Sequence, residues 1–203
     1  GWSAGDAARL AVAWALCGRL LFVLATFAIT RSATGPVPPE LRLGPLDALR
    51  MVLAEYVALL AMFTVVQPFE RFWMGPDRLA HCGARRLPVL LIHGYQCNRG
   101  FWFWLRRRLE GAGLTVATHN LEPVYADIDS YADGVARRVD EVLAATGARQ
   151  LLLVAHSMGG LDARYMITHL GMADHVASLT TIATPHHGCV MSDMGVGNIP
   201  GAT

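Results

Sequence analysis

Leu151-Leu152-Leu153-Val154-Ala155-His156-Ser157-Met158-Gly159-Gly160 decides the reading of this chain. Its first five residues are apolar without interruption, the pattern of a strand buried on both faces. The run ends in a serine flanked by small residues at 155 and 159, then passes into a helical pattern. Such a strand–turn–helix junction holds a serine on a tight corner with its hydroxyl exposed. The helix that follows also directs N–H groups and its positive end towards charge developing there. Ser157 is therefore the candidate nucleophile, and the backbone N–H of Met158 a candidate oxyanion donor. Gly159 permits close backbone approach. Ala155 stands where the G-x-S-x-G pattern has its first glycine, a small change in volume. A serine before a helix also serves as a plain N-cap; the strand before it and the Gly-Gly pair after it favour the nucleophile.

Outward from the serine, the same alternation repeats. Leu87–Ile92 and Thr115–Thr118 read as strands, and a helix is expected over 101–111. Ser130 and Asp133 suggest the start of a helix running to Ala145. A further helix is expected over 161–170 and a strand over 176–183. Apolar strands separated by helices predict a parallel α/β sheet covered on both faces. At the end of the first strand, His93-Gly94-Tyr95 supplies a turn, with the Tyr95 N–H as a second oxyanion donor. Two donors suit the charge on a tetrahedral intermediate. His93 reads as a loop-supporting histidine rather than a base. His156 is a poor base because neighbouring side chains diverge at such a corner. Thr180–Gly188 places Pro185, His186 and His187 at the end of a later strand, where open α/β sheets bind ligands. Pro185 and His186 are read as shaping the site. Two adjacent histidines with no carboxylate at suitable spacing do not indicate a metal.

The first 80 residues have different physics. Residues 10–29 contain one charge, Arg19, over about the 20 residues that cross a hydrocarbon core. A second apolar run covers 49–66, with Glu55 inside. The connector carries Pro36, Pro38, Pro39 and Pro45, so it is not helical throughout. The reading is a membrane hairpin contacting lipid through 10–29 and 49–68. A signal peptide accounts for the first run only, and buried or lid-like helices are the remaining alternative. Arg19 and Glu55 fall at similar depth and are expected to pair, lowering the cost of each charge in lipid. The arginines after the second run mildly favour a cytoplasmic second domain. The predicted division is 1–80, the hydrophobic region, and 81–203, the α/β domain.

Composition agrees. Hydrophobic residues make up 53% and charged residues 16%, against about 25% charged in typical domains. All 17 basic residues are arginine and the net charge is +1, which gives no support for a nucleic-acid partner. Cys17, Cys82, Cys97 and Cys189 form no CxxC pair and read as thiols. A Cys97–Cys189 bridge is the less favoured alternative.

LLIHGY, LLLVAHSMGGLDARY and VASLTTIATPHHG, in this order over residues 87–200, resemble the α/β-hydrolase superfamily, specifically bacterial triacylglycerol lipases and related esterases. The resemblance implies a partial α/β-hydrolase sheet and a serine-dependent carboxylic ester hydrolase of lipid metabolism acting on hydrophobic acyl esters through an acyl-enzyme, without a cofactor. It implies Ser157 as nucleophile and the Tyr95 and Met158 amides as oxyanion hole. In that superfamily the acid and base follow the serine on loops after later strands. Asp193 comes too early for the acid, and no histidine follows His187. Acid and base are therefore expected beyond Thr203, and these 203 residues alone are expected to be inactive. A chain that keeps the corner without catalysis is the alternative. A membrane-associated acyltransferase, a polyester depolymerase and a non-catalytic interaction protein are competing functions. The expected location is the bacterial inner membrane, with a secreted or periplasmic enzyme as alternative. Phe101, Trp102, Phe103 and Trp104 suit either an acyl-binding surface or helix packing.

Overall fold

The computed structural model describes residues 3–33, 35, 38–39, 42–81, 86–123 and 128–188. The chain divides into two compact units, 1–68 and 69–203.

In the first unit, α1 runs Ala4–Ala33 and α2 runs Pro45–Ala61. Pro45 stands in the first turn of α2, where a missing N–H costs no helical bond. A π-helical turn, Met62–Val66, extends α2. The two helices are tied where the Tyr56 hydroxyl donates to the Leu16 carbonyl at 3.2 Å. The segments Ala4–Ser32 and Pro45–Val66 are long and apolar enough to cross a bilayer, and 6% of the most apolar window of each is buried within this chain. Trp14, Leu21, Phe22 and Val57 all point outward. The expected Arg19–Glu55 pair does not form. Arg19 Nη1 instead donates to the Ala15 carbonyl one turn back along its own helix, at 3.2 Å. A long guanidinium stem can satisfy itself locally in this way without a partner on the other helix.

The second unit holds four parallel strands, β1 (Val89–Ile92), β2 (Val116–His119), β3 (Leu151–His156) and β4 (Val176–Ile182). Their order is β2-β1-β3-β4. Register aligns the strand ends: Ile92 lies opposite Ala155, and His156 opposite Ile182. Three further helices connect them, α4 (Phe103–Gly111), α5 (Ile128–Thr146) and α6 (Met158–His169), and α3 (Glu70–Trp73) precedes the sheet.

The continuous apolar run in β3 hides an alternation. Leu151, Leu153 and Ala155 are fully buried, while Leu152 and Val154 are half-buried. The first set joins Leu90 and Ile92 against Val135, Val139 and Val142 of α5 and Ala163 and Met166 of α6. The other face of β1 and β2 presents Val89, Leu91 and Val116 to Met74 and Trp102. Each fully buried aliphatic side chain contributes about 1.5–3 kcal/mol, so the α5–α6 face supplies most of the adhesion.

Three sequence-based boundaries shift. Helix α6 begins at Met158 rather than 161, because the glycine pair belongs to its first turn. Helix α5 begins at Ile128, so Ser130 lies inside the helix and is not its cap. The division between units falls before residues 69–80 rather than after them. What holds that segment to the sheet is Asp77, whose side chain is 6% exposed. Its carboxylate accepts from the Thr118 amide at 2.8 Å and hydroxyl at 3.0 Å. It also meets Arg138 Nη2 at 2.7 Å and Arg106 Nη1 at 3.1 Å. Arg106 in turn donates to the carbonyls of Met74 and Pro76, at 2.9 and 3.0 Å. The sequence reading places this stretch in the hydrophobic region, 1–80. The Cys97–Cys189 alternative has one end, Cys189, outside the described residues, as does Asp193.

Candidate active site

β3 ends at His156, and the next residue carries φ +52° and ψ −125°. That residue is Ser157. Non-glycine residues avoid this region, and holding one there costs on the order of 1–3 kcal/mol. The corner persists because its surroundings over-determine it: the Ser157 amide donates to the Ile182 carbonyl at 2.9 Å and the Gly160 amide to the Ser157 carbonyl at 3.1 Å. The serine hydroxyl makes no capping hydrogen bond to α6. This removes the N-cap reading, in which that bond would be the reason for a serine here.

Glycines surround the corner where backbones touch. A Cβ on Gly94 would stand 2.8 Å from Ser157 Cβ and 3.1 Å from the His156 carbonyl oxygen. A Cβ on Gly159 would collide with the His93 carbonyl oxygen, and one on Gly160 with the Thr184 side chain. The loop after β1 is thus pressed against the serine, and α6 against the end of β1. Tyr95 follows Gly94 in a turn closed by the Cys97 amide donating to the Gly94 carbonyl at 3.2 Å. Met158 is the first residue of α6. Gly94→Ala is expected to force the loop and the serine corner apart, because the added Cβ would meet Ser157 Cβ at 2.8 Å, and to cost about 1–3 kcal/mol of stability as an overpacking substitution. Urea unfolding of the two proteins measures the loss.

The histidines divide by what their rings touch. His93 is buried; its Nδ1–H donates to the Gly94 carbonyl at 2.8 Å, and its Nε2 accepts from the Leu121 amide at 3.0 Å. Both nitrogens are thereby occupied in one neutral tautomer, and burial holds its pKa below the ordinary value. It braces the loop and has no lone pair left for a base. The His156 ring stacks on Phe101, with centroids 4.3 Å apart, and burial lowers its pKa. His186 accepts from Arg164 Nη1 through Nδ1 at 2.8 Å and donates from Nε2 to Thr181 Oγ1 at 3.0 Å. It links α6 to β4. The Pro185 carbonyl accepts from the Gly188 amide at 3.1 Å. Among the aromatic tetrad, Phe101 reaches the site, Trp102 is core, and Trp104 is exposed.

Asp162 carried no signal in the sequence beyond its place after the serine. It is fully buried in α6, and neither carboxylate oxygen has a hydrogen-bond partner among the described residues. Burial pushes its pKa up to about 8. The folded state therefore keeps the proton that an unfolded aspartate loses near pH 4. Stability should fall as pH rises from about 4 to about 8 and level off above. Asp162→Asn should flatten that slope, which thermal melts across the range would show. A polar hollow bounded in part by Arg99, His119, Arg138 and Glu141 shares no lining residue with the serine corner. Two ion pairs lie along it, Arg99 with Glu70 at 2.7 Å and Arg138 with Glu141 at 2.6 Å.

Known proteins match this half of the chain. The PGAP1-like alpha/beta domain family matches residues 130–199. A triacylglycerol lipase of Pseudarthrobacter phenanthrenivorans is 36% identical over 118 residues, which are 54% of this chain and 36% of that protein. One of Burkholderia plantarii is 36% identical over 118 residues, 54% of this chain and 32% of that protein. The mature form of a Bacillus licheniformis lipase superposes with a TM-score of 0.51 at 25% identity, covering 60% of this chain and 47% of that one. The second unit shares the fold of this lipase and is similar in sequence to the triacylglycerol lipases. The chain spans about a third of the length of the curated relatives it matches, 36% and 32%. In this unit the four strands run parallel and the serine corner sits at their carboxyl ends, where β1 and β4 flank β3.

Proposed function

We propose that this protein is a serine-dependent carboxylic ester hydrolase, an esterase or lipase, in which Ser157 forms the acyl-enzyme. The observation that carries the reading is the Ser157 backbone, at φ +52° and ψ −125° between strand and helix, with Gly94 against its Cβ. Ser157 Oγ attacks the ester carbonyl carbon and gives its proton to a general base. The carbonyl oxygen becomes an oxyanion held by the amides of Tyr95 and Met158. The C–O bond to the alcohol then breaks, and the leaving oxygen takes the proton. Water repeats the sequence and releases the acid. His93 cannot serve as the base because both its ring nitrogens are engaged. We propose that the acid and base lie in a part of the protein corresponding to the two thirds of the lipase relatives that this chain does not span. Phe101 beside His156 favours an apolar acyl group. The helix pair α1–α2 seats the protein in a bilayer, since among the described residues only 6% of the most apolar window of each helix is buried.

Full-length protein is expected to react with a fluorophosphonate probe and to hydrolyse short and long p-nitrophenyl esters. Absence of labelling in folded protein would overturn the enzymatic reading. The ratio of long- to short-chain rates separates lipase from esterase.

A further inference from the structure

A group of exposed aromatic rings lies on the hydrolase unit apart from the serine. Phe69, Phe72, Trp73 and Trp104 are 48%, 66%, 46% and 53% exposed. Phe69 and Phe72 have centroids 6.4 Å apart, Trp73 meets Phe103 edge-on at 6.3 Å, and Phe103 meets Trp104 at 5.3 Å. Two guanidinium groups lie on these rings, Arg71 at 4.7 Å over Phe72 and Arg107 at 5.4 Å over Phe103. The neighbouring carboxylates are already engaged: Glu70 with Arg99 and Glu110 with Arg106. Among the described residues neither Arg71 nor Arg107 joins an ion pair. The group is therefore aromatic and cationic at once.

Exposed aromatic surface of this kind marks an interaction site. Tryptophan with arginine suits the headgroup layer of a bilayer, where a ring has an apolar body and a polar edge and a guanidinium can bind phosphate. The position in the chain identifies the occupant. Phe69 comes three residues after Val66, the last residue of an apolar segment of 22 residues. A segment that spans the hydrocarbon core leaves its next few residues at the boundary.

We propose that Phe69, Phe72, Trp73 and Trp104, with Arg71 and Arg107, form a docking surface for the headgroup layer of an anionic bilayer. The proposal rests on the membrane reading of α1–α2. It holds the hydrolase unit against the lipid instead of leaving it to swing on a linker. The surface also shares its aromatic segment with Phe101, which stacks on His156 beside the serine.

Tryptophan quenching by brominated lipid tests this in full-length protein reconstituted in phosphatidylcholine–phosphatidylglycerol vesicles. Bromine is placed either near the headgroups or near the bilayer centre. A variant with Trp2→Phe and Trp14→Phe keeps Trp73, Trp104 and the buried Trp102, which every variant retains as a common background. It should be quenched about twofold by shallow bromine and less by deep bromine. Adding Trp73→Phe and Trp104→Phe should remove that quenching; equal quenching in the two variants overturns the proposal. A third variant, with Trp2→Phe, Trp73→Phe and Trp104→Phe, keeps Trp14 within α1 as a reporter of the hairpin. Deep quenching there without shallow quenching of Trp73 and Trp104 leaves the hairpin standing and rejects the docking surface. No quenching of Trp14 rejects both.

Discussion

Ser157→Ala is expected to lower ester hydrolysis by the full-length protein about 10⁴- to 10⁶-fold and to abolish fluorophosphonate labelling. In the proposed mechanism the hydroxyl forms the acyl bond, and the proposed oxyanion donors without it leave only a small residual rate. Stability should barely change, because the hydroxyl makes no capping bond. Ser157→Gly gives an independent reading of the backbone. Glycine tolerates φ +52°, so this variant should be equally inactive yet about 1 kcal/mol more stable than Ser157→Ala. Equal melting temperatures for the two variants would show that the corner is unstrained. Full activity of either would remove Ser157 from the mechanism.

Asp77→Ala is expected to produce the largest loss of stability, about 3–5 kcal/mol. Removing the carboxylate strands Arg106, whose side chain is 5% exposed, and leaves the Thr118 amide without its acceptor. Glu110 and the Met74 and Pro76 carbonyls still hold Arg106, which places the loss towards the lower end of that range. Asp77→Asn keeps an acceptor but not the charge, and should fall between the two. Urea unfolding of the three proteins measures the difference. A loss below about 1 kcal/mol would mean that the site rearranges or fills with water.

Much of the hydrolase fold is legible because its signals are local. An uninterrupted apolar pentapeptide followed by His-Ser-Met-Gly-Gly specifies strand, corner and helix from neighbouring residues alone. Helix ends were less legible. Gly159 and Gly160 have low intrinsic helix propensity, yet they open α6, because anything larger would strike the His93 carbonyl oxygen and Thr184. Both contacts come from distant parts of the chain. Ser130 looked like a cap for a similar reason: the local pattern cannot show that α5 already began at Ile128.

The charged interior was illegible for a deeper reason. Asp77, Arg106 and Arg138 are separated by 29 to 61 positions, and their pairing exists only once β2, α4 and α5 assemble. The Arg19–Glu55 expectation failed on the same ground. Matching depth on two helices permits a pair, but a carbonyl one turn away competes with it.

The sequence by itself determined the parallel α/β class, the serine at a strand end and the two long apolar helices, because periodicity and small-residue spacing act over a few residues. Tertiary structure alone decided that Ser157 sits in a positive-φ corner against Gly94, which two backbone groups His93 bonds, and that residues 69–80 belong to the second unit. Those features depend on which distant backbones and charges come within a few ångströms, and no local pattern encodes that distance.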